Sequence, residues 1–156
     1  MASPFPFTSG QVLTAAQLNA IGETIDFSGS LALTSWTLGN GTVNVCKYVR
    51  VQNLVFYYGK VTLGSTSTTS GDLRVNLPVT AAAGFAENAG LARYNDVGTA
   101  SYAGTCSFES TTLLNMLVSD SSSSKVQIQN VNGTNPFTWS GAAGDQFFWQ
   151  IVYEAA

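Results

Sequence analysis

From residue 30 onward, hydrophobic and polar positions alternate with a period of two, which is the signature of strands with two unlike faces. The clearest run is 146–154, where Phe147, Trp149, Ile151 and Tyr153 alternate with Phe148, Gln150, Val152 and Glu154. Residues 54–63 set Val55, Tyr57, Val61 and Leu63 against Leu54, Phe56 and Tyr58. Apolar residues on both sides of that strand predict burial on both faces. Residues 42–51 place Val43, Val45, Val49 and Val51 on one face. Leu31 and Leu33 open the series in 30–36, and Leu73, Val75 and Leu77 form a short strand stopped by Pro78. Segments 90–94, 101–108, 111–118 and 125–131 complete it. Between them stand turn signals: the Asn40-Gly41 pair, the polar run 65–71 as a loop, and the segments 120–124 and 132–136. Eight or nine short strands at roughly ten-residue spacing predict a mostly β chain, an antiparallel β-sandwich or jelly roll over 29–156.

Residues 1–28 follow another pattern and read as an N-terminal arm and attachment helix. Pro4 and Pro6 hold their predecessors extended, and Phe5 and Phe7 have no local partner. The spacing predicts a helix over 13–25. Thr14 and Gln17 form a capping box, Leu13 and Leu18 a hydrophobic staple, and Leu18, Ile21 and Ile25 one apolar stripe. A helix of about 12 residues is marginal alone in water, so this one needs a surface to pack on. That surface is either its own β-domain or another subunit.

Composition adds a constraint on the surface. Charged residues make up 10% of the 156, against about a quarter in an average domain. Little electrostatic repulsion then opposes association, which points to an oligomer. The net charge is −3 and the six cations (Lys47, Arg50, Lys60, Arg74, Arg93, Lys125) are scattered, which argues against a nucleic-acid partner. Lys47 and Arg50, the densest pair, read as a solvated strand edge. Cys46 and Cys106 have no metal-like spacing; two buried thiols are the economical reading, with a disulfide left open. There is no apolar run of membrane-spanning length and no secretory leader pattern, so synthesis in a cytoplasm and no membrane insertion are expected.

Candidate chemistry is sparse. The chain has no His, which removes the commonest general base and metal ligand. No phosphate-binding loop is present, and neither a cofactor nor a metal is expected. Glycosidase chemistry needs only two carboxylates, and Asp72, Glu87, Asp96 and Glu109 are the possible members; as loop and edge charges they need no such role. Asn40-Gly41-Thr42 and Asn132-Gly133-Thr134 fit a glycosylation sequon but read better as turns. Trp36, Tyr94, Tyr102 and Trp139 could stack on sugar rings, but packing in the core or an interface is the better explanation for each. The expectation is a non-enzymatic protein, with a carbohydrate-binding or glycan-cleaving module as the remote alternative.

The segment FTSGQVLTAAQLNAIGETI (7–25) resembles a short module at the start of many tailed-bacteriophage virion proteins. The resemblance rests on Phe7, Gly10, Leu13, Thr14, Ala15, Ala16, Leu18 and Asn19. Downstream, WTLGNGTV (36–43) and YVRVQNLVF (48–56) look like the β-domains often attached to that module, with Asn53 standing where most relatives carry Gly. The resemblance implies a virion structural role, commonly as a homotrimer, with the N-terminus docked on another virion protein of tail or capsid. By analogy, Phe5, Phe7, Leu13, Leu18, Ile21 and Ile25 are the attachment or oligomer-interface residues. Two roles fit: a short tail fibre or appendage whose β-domain meets the host surface, with host-surface glycan as a candidate partner, which is preferred, and a capsid decoration protein that stiffens the head.

Overall fold

The computed structural model describes residues 10, 12, 14–19, 21–84, 88–120, 127–139 and 144–156. A short helix, α1 (Ala15–Asn19), precedes ten strands. These are β1 (Thr24–Asp26), β2 (Leu33–Thr37), β3 (Thr42–Val51), β4 (Leu54–Thr62), β5 (Thr68–Asn76), β6 (Asn88–Asp96), β7 (Ala100–Ser110), β8 (Leu113–Asp120), β9 (Gln127–Asn130) and β10 (Gln146–Glu154). All pairings are antiparallel, in the order β1-β3-β4-β10-β6-β7-β8-β5-β2, with β9 added beside β8. The chain is therefore mostly β and sandwich-like, as the alternation predicts. Its two layers are halves of one continuous sheet curled into a half-barrel.

The curl follows from connectivity. β2 and β3 are joined by the tight Asn40-Gly41 turn, where Gly41 N–H donates to the Leu38 carbonyl at 2.8 Å, yet they lie towards opposite ends of the strand order. The sheet has to bend until those ends meet. Trp36 of β2 closes the seam, its ring 5.1 Å from Trp139 and 6.0 Å from Phe147 of β10, both edge-on. Inside the curl, Tyr57, Phe147, Trp149 and Ile151 from one half face Leu73, Val75, Leu114 and Met116 from the other, all buried. Buried phenols keep partners: Tyr94 donates to the Leu117 carbonyl at 3.0 Å and Tyr153 to the Val79 carbonyl at 2.8 Å.

The N-terminal region departs from expectation. The capping box forms, with Thr14 N–H donating to Gln17 Oε1 at 3.0 Å and Gln17 N–H to Thr14 Oγ1 at 3.2 Å. The helix then ends at Asn19 instead of running to residue 25. Gly22 adopts a φ of +74°, which breaks the helix, and β1 pairs with the free edge of β3. Two β-branched residues, Thr24 and Ile25, take strand geometry once β3 offers hydrogen-bonding partners. The predicted stripe of Leu18, Ile21 and Ile25 thus does not exist: Leu18 is on α1, Ile21 is half-buried in a turn, and Ile25 is an exposed strand residue.

Two other differences are local. A bulge between Val43 and Val45 sends these valines to opposite faces, so Val43 pairs with Val61 while Val45, Val49 and Val51 point outward. The polar run 65–71 is only partly a loop, since β5 begins at Thr68 and Thr68 and Thr69 pair with Thr37 and Trp36 of β2. At the β3–β4 hairpin the positive φ of 53° falls on Gln52, not on Asn53. The turn therefore makes no demand for glycine at position 53.

Cys46 and Cys106 are free and buried. Burial pushes the Cys46 thiol up to about 11 and the Cys106 thiol up to about 12, so neither is a thiolate at ordinary pH. Native protein at pH 8 is expected to leave a thiol-titrating disulfide reagent unreacted, with two equivalents consumed on unfolding. A second expectation concerns Gly59, which pairs with Trp149 and carries its indole directly above the backbone; an added Cβ would overlap that ring. Gly59→Ala should lower stability by about 1–3 kcal/mol, readable by urea denaturation.

Candidate docking face

Cross-strand partners share a face of the sheet, so the register defines which side chains point away from the core. One outward row runs Val45, Lys60, Phe148, Arg93 across β3, β4, β10 and β6. The next runs Lys47, Tyr58, Gln150, Leu91. A third holds Val49, Phe56 and Val152, and a fourth Val51, Leu54 and Glu154. Most of this outer face is apolar. Leu91 is 69% exposed, Leu54 56% and Val152 50%, while the aromatic side chains beside them are half-buried by one another.

The sequence predicts two-sided burial for residues 54–63, and the described residues supply only one side. Val55, Tyr57 and Val61 are buried, whereas Leu54, Phe56 and Tyr58 are left on an uncovered face. A shallow groove of about 360 Å³ runs between the first two rows, lined by Val45, Tyr58, Leu91, Phe148 and Gln150 among others. The Lys60 ammonium lies 5.0 Å from the Phe148 ring centroid, a cation–π contact that fixes it over the ring. Arg93 donates to Ser101 Oγ at 3.1 Å. Among the described residues neither cation, nor Glu154, takes part in a salt bridge.

The N-terminal segment joins the body at the margin of this face. Gly22 lies against the side chains of Val49 and Val51, and Asp26 of β1 pairs with Lys47. The Ser28 N–H donates to Asp26 Oδ1 at 2.8 Å and holds that carboxyl below its ordinary range. Of the residues expected to attach, Phe5, Phe7 and Leu13 lie outside the described residues, and Ile21 and Ile25 flank the body near β3. The outward residues of β4, β6 and β10 lie outside that set, and the unbroken apolarity of 54–58 is their signal in the sequence.

Of the carboxylates considered for chemistry, two come together on one cation. Asp72 and Glu109 both approach Arg74, at 3.7 and 3.2 Å from Nη2, and Asn130 donates to Asp72 at 2.8 Å. The guanidinium fills the space between the carboxylates, as in an ion-pair network. Glu87 lies outside the described residues. Trp36, Tyr94 and Trp139 are buried core rings, and Tyr102, half-buried, stacks on Phe137 at 5.4 Å against the core. Lys47 points outward while Arg50 pairs with the inward Val55, so the two are not one patch. Among the described residues no cluster of potential metal ligands occurs. Comparison with protein-family models, curated proteins and solved structures gives no match.

Asp145 is buried beside Asp96, and Val97 N–H donates to its Oδ1 at 3.3 Å. Desolvation raises its pKa, with the Asp96 charge adding to the rise. Such a group stabilises the fold fully below the ordinary carboxylate pKa of about 3.8, and that contribution is lost as pH rises through the raised value. Asp145→Asn is therefore expected to melt above wild type at pH 7, the gap closing towards pH 3 in a thermal scan.

Proposed function

We propose that this chain is a non-enzymatic structural subunit of a tailed-bacteriophage virion, self-associating and docked on another virion protein through its N-terminal segment. The observation that carries the reading is the uncovered apolar face across β3, β4, β10 and β6, continuous with the segment that resembles the attachment module. A face this apolar on a chain with so few charges fits a protein that works in an assembly. The Thr14–Gln17 capping box within the LTAAQLN stretch gives that segment a defined local structure to present. A short tail appendage, homotrimeric as the resemblance implies, is the preferred role.

Quantitative mass spectrometry of purified virions, scaled to the major capsid protein, tests the role. A few to a few dozen copies are expected for an appendage; hundreds would make it a capsid decoration protein, and none would remove the virion reading. Deletion of residues 1–20 spares β1 and its pairing with β3, so the truncated chain should stay folded by circular dichroism. It should also fall at least tenfold in virion incorporation.

A further inference from the structure

We propose that the outer face of β3, β4, β10 and β6 is a two-fold contact whose occupant is a second copy of this chain. The inference deepens the self-association in the proposed function but needs no virion, and it concerns the body, not the N-terminal segment.

The first argument is the chemistry of the face. Its interior positions include Val49, Phe56, Tyr58 and Val152; Lys47 stands at the side of the face, beside Asp26 of β1, and the other charges lie in two rows towards opposite ends of the strands. Lys60 and Arg93 flank Phe148 in one row, with only the polar Thr62, Gln146 and Asn95 beyond it, while Glu154 lies in the other, six residues further along β10. A two-fold axis across the strands at the level of Ile151 exchanges these rows. Glu154 of each copy then lies against Phe148 of the other, between the two cations. The same operation sets Tyr58 against Phe56 and Val45 against Val51, apolar on apolar, with Gln150 against Val152 and Lys47 against Val49 at the side of the face, within the roughly 30° by which packed sheets rotate. Self-complementarity of this kind is what an isologous contact requires. An acidic partner would leave Glu154 opposed, and an entirely apolar partner would leave Lys60 and Arg93 unpaired.

The second argument is size. Six residues along a strand span about 20 Å, and four strands about 4.8 Å apart span about 15 Å. With side-chain margins the face measures roughly 25 by 20 Å, about 1,000 Å² for a pair, at the lower bound of a specific interface. Such a contact suits reversible association more than an obligate dimer.

Light scattering on the full chain at about 100 µM, well above the micromolar constants that small interfaces can have, should give an even number of copies. Two copies indicate the face alone, and six indicate two trimers joined through it. A monomer or an isolated trimer would overturn the proposal. Val152→Lys, near the axis on an exposed position, should halve the copy number without changing the circular dichroism spectrum; an unchanged mass would overturn it. Glu154→Lys should also dissociate the pair, and Lys60→Glu with Arg93→Glu in the same chain should restore it. Failure of that rescue in a folded triple variant would sink the charge pairing. All these measurements use the isolated protein, so they can fail while the virion reading stands, and the reverse.

Discussion

Each strand in a sheet is rotated by roughly 20–25° from its neighbour, and no flat arrangement of a long antiparallel series escapes this. Along the path from β1 to β2 there are eight successive pairings, so the rotation accumulates to about half a turn. The far end of the sheet is carried round to face the near end, and the inner faces bury one another. This constraint explains why ten strands need no second sheet to make a core. It also explains why Trp36, on a terminal strand, packs beside Phe147 on a central one. Only the concave side gains from the curl, and the convex side keeps whatever the alternation placed there.

β10 and β4 were legible in the sequence as strands, down to which residues share a face, because long unbroken alternation admits only one register; which face turns inward was not. Residues 42–51 were legible as a strand, but their faces were not. The bulge at Val43/Val45 arises from pairing with β4, which no local pattern encodes. The helix illustrates the opposite case. Its start is chemical and local, through Thr14 and Gln17, so it was readable. Its end depends on the open edge of β3, more than twenty residues downstream, which makes residues 24–26 a strand despite their helical spacing.

The same limit governs the candidate site. The apolarity of 54–58 announces a second covered face, and none of the described residues covers it. Trp36, Tyr94 and Trp139 pack in the core, the better of the two readings the sequence allowed, but single-residue hydrophobicity cannot tell a concave from a convex position. Register can: every outward residue of β10 has an outward partner on β4. Scarcity of charge, visible in composition alone, takes on meaning once its location is known. Three of the six cations, Lys47, Lys60 and Arg93, sit on the one face that is otherwise apolar.

The position of β10 has a temporal meaning as well. It lies between β4 and β6, and Leu54 and Glu154 are partners a hundred residues apart. Every strand it joins leaves the ribosome first. Until β10 emerges, the hairpin of β3 and β4 and the meander from β6 to β8 each keep an open edge, and the outward rows are split between them. The surface proposed to pair two copies is therefore assembled by the same event that closes the core. A nascent chain that has not yet added β10 does not present that surface whole.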